Sequence, residues 1–414
     1  MSELKTGREF DTRLGSRHRS GLVWRVIFQI STIAGIIALT ALLYNIIDSA
    51  FGYVAIENTI QPEALAVNGV PLEEQSKAQL VVVLKANISD ALFRRFENDM
   101  PFEQRTKDGV LGLIEERVIE PKVVQTWSLT DSVLHPARVR TEAASDYPGT
   151  RLHFSSWLDP EFITTPQSGD AQRAGVRTAI LGSLWVIAIT VLFAFPIGVG
   201  AAIYLEEYAK DTWINRIIQT NINNLAGVPS IIYGILGLAI LVRTLEPLTS
   251  GTLFGLTDPT TANGRTILSA GMTLGLLILP LIIINAQEAI RAVPSSLRQA
   301  SFGLGATKWQ TIWNHVLPNA MPGILTGAIL AISRAIGETA PLVVVGASTF
   351  ITVDPAGPFS KFTTLPIQIY QWTARPQDVF RNLAAAAILV LLILLLTLNA
   401  SAVLLRNRYS RRLT

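Results

Sequence analysis

Apolar residues are distributed along this chain in two different ways. Six long stretches are nearly free of charge: between Arg25 and Asp48, Arg177 and Glu206, Arg216 and Arg243, Arg265 and Glu288, from about Asn319 to Phe350, and between Arg381 and Arg406. Each exceeds the roughly 20 residues an α-helix needs to cross about 30 Å of hydrocarbon. The pattern therefore predicts six transmembrane helices. The first reads as an uncleaved anchor, because its apolar core is longer than the roughly 7–15 residues of a signal peptide. Residues 48–176 are patterned differently, with turn-forming stretches at Tyr147-Pro148-Gly149 and Thr165–Asp170, a strand expected over Leu80–Leu84 and a helix over Asp90–Phe96. They read as a small soluble α/β domain inserted between the first and second spans.

Charge orients this arrangement. Lys5, Arg8, Arg13, Arg17, Arg19 and Arg25 precede the first span, and Arg406, Arg408, Arg411 and Arg412 follow the last. The positive-inside rule then makes both termini cytoplasmic, which needs an even number of spans and places the 48–176 insert outside the cytoplasm. The loop of residues 287–318, with Arg291, Arg298 and Lys308 against Glu288, falls on the cytoplasmic side. The short loop around Glu206, Glu207, Lys210, Asp211 and Arg216 is slightly acidic and orients nothing. The expected division is an arm and first helix at 1–47, the insert at 48–176, a five-helix core at 177–405 and a tail at 406–414.

Composition agrees with a membrane protein: 16% of residues are charged, against about 25% in soluble proteins. The net charge of +3 argues against a nucleic-acid partner. It averages two unlike parts, since the insert holds 12 basic and 19 acidic residues while the remainder is net +10. With no cysteine there is neither a disulfide nor a thiolate metal site. No Gly-x-x-x-x-Gly-Lys-Ser/Thr loop, His-Glu-x-x-His helix or Gly-x-Ser-x-Gly elbow occurs, so no nucleotide-hydrolysing or nucleophilic centre is expected. Of the histidines, His135 and His153 read as solvated surface residues rather than metal ligands.

Within 287–318, Ser295 or Ser296 is suited to cap a short helix, Gly305 to end it, and an amphipathic stretch from Thr307 to Leu317 leads into the fifth span. A helix, a turn and a helix under the membrane serve either as an interfacial pair or as a docking surface. In the third span Pro229 cannot donate to the Leu225 carbonyl and predicts a bend, with Gly227 and Gly234 allowing close backbone approach; Pro341 likewise frees the Gly337 carbonyl. Arg334 stands 15 residues beyond Asn319, about 22 Å along a continuous helix and near mid-membrane. Such a charge costs roughly 2.5–3.5 kcal/mol there and should face protein or water. Glu338 shares its helix face at i, i+4, in the weaker order for a purely local pair.

The segment Gln299-Ala300-Ser301, Gly305 and Val316-Leu317-Pro318 resembles the cytoplasmic signature of permeases of ATP-binding-cassette (ABC) importers. Gln299 stands where those permeases have an acidic residue and Ser301 where they have a second alanine. Pro196–Tyr208, Asn223–Gly234 and Ser333–Ala340 narrow the resemblance to the phosphate-specific (Pst) importers, and the first of these to PstA-type rather than PstC-type permeases. The likeness covers about 178–405, more weakly 1–47, and not the insert.

The resemblance implies an all-α polytopic permease with six transmembrane helices, seated in a bacterial inner membrane and surrounded by lipid. It implies a second, PstC-like permease, two cytoplasmic ABC ATPases and an extracytoplasmic phosphate-binding protein. ATP and Mg would then be held by the ATPases, with no cofactor or metal on this chain. Gln299, Ala300, Ser301, Gly305, Leu317 and Pro318 would contact the ATPase, and Gly227, Pro229, Gly337 and Pro341 would mark hinges. Arg334 is suited to an oxyanion through its planar, permanently charged fork, with Glu338 orienting it and limiting how tightly it binds. The solute expected is inorganic phosphate; the alternatives are another oxyanion or a membrane sensor that uses the insert.

Overall fold

A computed structural model describes residues 14–67, 69–256, 263–347 and 350–410 of the chain. Lys5, Arg8, Arg13, Arg411 and Arg412, used above for sidedness, lie outside the described residues. Helix α1 (Leu14–Ala50) passes without a loop into strand β1 (Phe51–Asn58). There follow α2 (Lys77–Asn87), α3 (Asp90–Asp99), α4 (Lys107–Ile114), β2 (Pro121–Thr126), α5 (Leu129–Leu134), α6 (Pro136–Asp146), β3 (Arg151–Ser156) and α7 (Pro160–Thr164). The strands form one antiparallel sheet in the order β2-β1-β3, with a bulge between Ala55 and Ile56.

The strand expected over Leu80–Leu84 is a helix. Gln79 Oε1 accepts from the Ser76 backbone N–H at 2.9 Å, closing the first turn of α2. Leu80, Val83 and Leu84 then fall on one face, at helical spacing, and are buried with Leu72, Phe102, Val110 and Ile114. Burial on that face outweighs the β preference of the valine run.

The insert does not hang free of the helices. Val54, Trp157, Phe162 and Val176 share a buried cluster with Leu365, Trp372, Phe380 and Leu383. Thr178 donates to Asp354 at 2.9 Å, and Arg177 pairs with the same carboxylate at 2.9 Å. On the opposite edge, Asp48 accepts from the backbone N–H and hydroxyl of Thr130 at 2.7 and 2.6 Å.

Beyond the insert lie α8 (Arg177–Ile203), α9 (Trp213–Ala226), α10 (Ser230–Gly237), α11 (Glu246–Thr249), α12 (Ile267–Arg291), α13 (Ser295–Gly303), α14 (Lys308–Thr311), α15 (Leu317–Gly337), α16 (Ala340–Val345), α17 (Leu365–Thr373) and α18 (Asp378–Ser410). Among the described residues, five helices are long and apolar enough to cross a membrane: His18–Ala50, Arg177–Tyr208, Ile267–Arg291, Lys308–Gly337 and Asp378–Arg408. The remaining expected span is α9 and α10 with its extension to Thr244, two pieces bent by 107°. The bend predicted at Pro229 is therefore a break. The fifth stretch is not one helix to Phe350 either. It stops at Gly337, Glu338 turns into extended backbone, and α16 restarts with Pro341 in its first turn.

Helix α12 is the central post, packed against α8 and α15 along most of its length. Small residues let backbones approach here, the usual device where lipid offers no hydrophobic drive. At Gly182 of α8 a Cβ would stand 2.1 Å from the Thr363 carbonyl oxygen. Gly182→Val is therefore expected to destabilise the protein by about 1–3 kcal/mol, read as a lowered unfolding midpoint in detergent. A Cβ added at Gly200 on the same helix meets nothing within 4 Å, so Gly200→Ala should leave the midpoint unchanged.

Candidate functional site

Two regions gather the residues singled out in the sequence. In the first, α13 starts directly after Pro294. The expected serine cap is absent: Pro294 occupies the cap position, and no side chain accepts from the first turn. Proline fixes its own φ at a value suited to the cap, and its carbonyl accepts from the Leu297 N–H at 3.3 Å. Gly305 adopts φ +83°, its N–H donating to Phe302 O at 2.9 Å and the next N–H, of Ala306, to Ser301 O at 3.2 Å. Only glycine takes that conformation cheaply. Thr307 and Gln310 then cap each other reciprocally, at 2.8 and 3.3 Å, and a π-turn over Ile312–Val316 carries the chain into α15.

Within this helix pair, Gln299, Ala300 and Gly305 are exposed, while Leu317 and Pro318 are half-buried at the root of α15. Ser301 is buried, its hydroxyl hydrogen-bonded to that of Thr311 at 2.8 Å. It therefore fastens α13 to α14 and presents no atom outward. Phe302, Leu304, Trp309 and Trp313 are exposed beside it, the two tryptophan rings stacked at 5.5 Å.

The anchoring of this pair was not visible in the sequence. Arg298 donates to Glu207 through Nε and Nη2 at 3.0 and 2.7 Å, and to the carbonyls of Val293 and Ile290 at 2.7 and 2.9 Å. Arg291 reaches Glu206 at 2.6 Å. The acidic loop after α8, uninformative by its charge, is the cradle in which α13 is held. Further along that loop, hydrogen bonds and the charge of Arg216 hold the exposed Asp211 carboxyl below its usual range.

The second region is where the two helix breaks meet. Tyr233 of α10 is buried with Ala331 and Ala335 of α15 and with Leu277, Ile278 and Ile282 of α12. Those α12 residues are at its midpoint, so Arg334 lies level with the middle of α12 although it occupies the last turn of its own helix. The Tyr233 hydroxyl donates to Leu225 O at 2.8 Å, joining the Val228 N–H at 3.1 Å on the carbonyl to which Pro229 cannot donate. A Cβ at Gly234 would meet Pro341 Cα at 2.7 Å, so α10 and α16 touch backbone to backbone.

Of the four expected hinge residues, Gly227 and Pro229 lie in the first break, Gly337 ends α15, and Pro341 opens α16. Arg334 Nε stands 3.4 Å from Glu338 Oε1, with Glu338 mostly covered and the arginine side chain 45% exposed. Interrupted membrane helices that meet around one accessible charge are the arrangement transporters use to hold a solute at mid-depth. Elsewhere, His135 ends α5 and His153 lies in β3; among the described residues no three His, Asp or Glu side chains converge to hold a metal.

Comparison with known proteins adds to this geometry. Residues 194–414 match the family described as binding-protein-dependent transport system inner membrane component. The probable ABC transporter permease YqgI of Bacillus subtilis is 32% identical over 243 residues, covering 56% of this chain and 76% of that protein. The phosphate transport permease PstA 1 of Mycobacterium tuberculosis is 34% identical over 239 residues, covering 58% and 72% respectively. Among solved structures, an inward-facing MetNI methionine ABC transporter is 19% identical with a TM-score of 0.41, covering 58% of this chain and 95% of that one.

Proposed function

Because the chain belongs to the binding-protein-dependent transport system inner membrane components, the permease subunits of ABC importers, we propose that it lines the path by which inorganic phosphate crosses the membrane. Such permeases work with a second permease, with ATPases on separate chains and with a solute-binding protein. In this reading the partner is PstC-like, the binding protein carries phosphate, and ATP with Mg is held by two cytoplasmic ATPases. Both termini face the cytoplasm and the insert faces outward.

The observation that supports a solute path is the junction at Arg334. A cation at mid-depth would be costly if it faced lipid, and here it is only partly covered by its own chain, beside two helix interruptions. The PstA relatives supply the choice of phosphate. The exposed face of α13 and α14 is the surface offered to an ATPase, and its attachment to the ends of α8 and α12 passes ATPase movement into the membrane. Nucleotide binding would draw these surfaces together and turn the path outward, and hydrolysis would reset it. The insert carries a net charge of −7 and would repel a free anion, so docking or assembly suits it better than capture.

The importer reconstituted with its binding protein, partner permease and ATPases should accumulate labelled phosphate in preference to sulfate or molybdate. Preference for one of the other anions would move the substrate assignment. A Gly305→Pro variant cannot adopt φ +83° and loses the bond to Phe302 O, so ATPase co-purification should fall by about tenfold or more. Full retention of the ATPase by that variant would count against the docking role.

A further inference from the structure

We propose that Arg243 and Arg265 form a second oxyanion site at the outer mouth of the path, upstream of Arg334. This rests on the reading that the solute is an oxyanion. Arg243 and Arg265 line one cavity of about 540 Å³, together with Leu238, Val242, Glu246 and Asn263. The cavity lies at the start of α12, whose 25 residues place it about 37 Å from the α13 end of the molecule.

The remaining arginines between 177 and 405 are otherwise engaged. Arg177, Arg216, Arg291, Arg298, Arg334 and Arg381 each pair with a carboxylate, and Arg375 lies over the Phe380 ring. Arg243 and Arg265 have no ion pair, ring contact or hydrogen bond through their guanidinium groups with the described residues. Their placement is nevertheless built. Gly264, at φ +73°, packs so closely that a Cβ there would stand 2.7 Å from the Val242 carbonyl oxygen. The Thr266 hydroxyl donates to the buried Thr249 carbonyl at 2.7 Å, fixing the turn that carries Arg265. The Arg265 stem crosses Gly346, where a Cβ would stand 2.5 Å from its Cδ.

Two forked cations lining one open cavity suit a tetrahedral oxyanion, and Glu246, which lines it too, keeps the site from retaining it. Tyr233, at the Arg334 junction, and Arg243 belong to the same run of helix, ten residues or about 15 Å apart. An anion thus passes from one basic site to the next, and conduction favours several weak sites over one strong one. The outer site also supplies local attraction where the insert would repel the ion.

The test uses the complete wild-type importer in phosphatidylcholine vesicles, modified from outside with p-hydroxyphenylglyoxal and read by mass spectrometry at each arginine. Inorganic phosphate should slow modification of Arg243 and Arg265 by about tenfold, and chloride at equal ionic strength by less than about twofold. Equal protection by chloride would reduce the effect to screening and overturn the site. Protection that needs phosphatidylglycerol in the vesicles and ignores soluble phosphate would make it a lipid headgroup contact, which also overturns it. If the importer proves to accumulate sulfate, the phosphate reading fails by itself, and the labelling repeated with sulfate supports or overturns the site by the same criterion.

Discussion

Replacing Arg298 by alanine is expected to cut uptake and solute-stimulated ATP hydrolysis by at least about tenfold while leaving the chain inserted and folded. Arg298 alone ties α13 to three places: the Glu207 carboxylate and the carbonyls of Val293 and Ile290. Removing one member of a buried ion pair costs roughly 3–5 kcal/mol, because the other charge is left uncompensated. Glu207 is 8% exposed and Arg298 20%, so the lower part of that range, reduced somewhat further by water, is appropriate. The cost falls on the position of α13 relative to the membrane helices, not on the helices themselves. Glu207→Gln keeps an acceptor and should do less harm. Exchange of the two charges, Glu207→Arg with Arg298→Glu, should recover part of the loss. An Arg298→Ala importer with wild-type coupling would show that α13 is held by other contacts.

At Arg334 the expected loss is larger. Arg334→Gln should lower phosphate uptake by about 10- to 100-fold with normal assembly, the factor corresponding to a charge-assisted hydrogen bond of about 1.5–3 kcal/mol. Arg334→Lys separates charge from geometry, since lysine keeps the cation but loses the planar fork. It should retain only a minor part of the activity. Glu338→Gln removes the counter-charge held 3.4 Å away and should slow release more than capture. Uptake assays must be read with the amount of assembled complex, because a helix-end arginine near mid-membrane also affects insertion. Full uptake by Arg334→Lys, with normal assembly, would remove the bidentate role.

Much of the membrane architecture was legible because the bilayer imposes one requirement, a long uncharged helix, that can be read from composition alone. What escaped was decided by contacts distant in sequence. Pro229 marked the position of a bend correctly, but a missing N–H does not specify a 107° break. That also needs the Tyr233 hydroxyl on Leu225 O and the seat of Gly234 on Pro341. Placing Arg334 in the middle of one stretch running to Phe350 assumed a continuity that Glu338 ends, and its level follows instead from the midpoint of the neighbouring α12. The Leu80–Leu84 run looked like a strand because β-branched residues dominate it; the cap four residues earlier and the buried face decide otherwise. Glu207 and Arg298 are 91 residues apart, and opposite charge at that separation identifies no pair. Ser301 could be placed in the signature but not aimed, and its direction became clear only with Thr311 opposite it.

The absence of any loop between α1 and β1 has a mechanical consequence. Strand β1 continues α1 directly, and Asp48 in the last turn of α1 is hydrogen-bonded to Thr130 of the insert, so a tilt of α1 is passed to the sheet. Val54 of that sheet, with Trp157 and Phe162 just beyond β3, packs against Val176 and Ala179 at the start of α8 and against Phe380 and Leu383 at the start of α18. Three of the long helices are thus yoked at one end, like spokes fixed to a single rim. Outside the yoke lie the long helices α12 and α15 and, packed against α12, the short broken pieces α10 and α16. Displacement delivered at α13 therefore meets a yoked frame on one side and two short segments on the other, and the short segments are those beside Arg334 and Arg265.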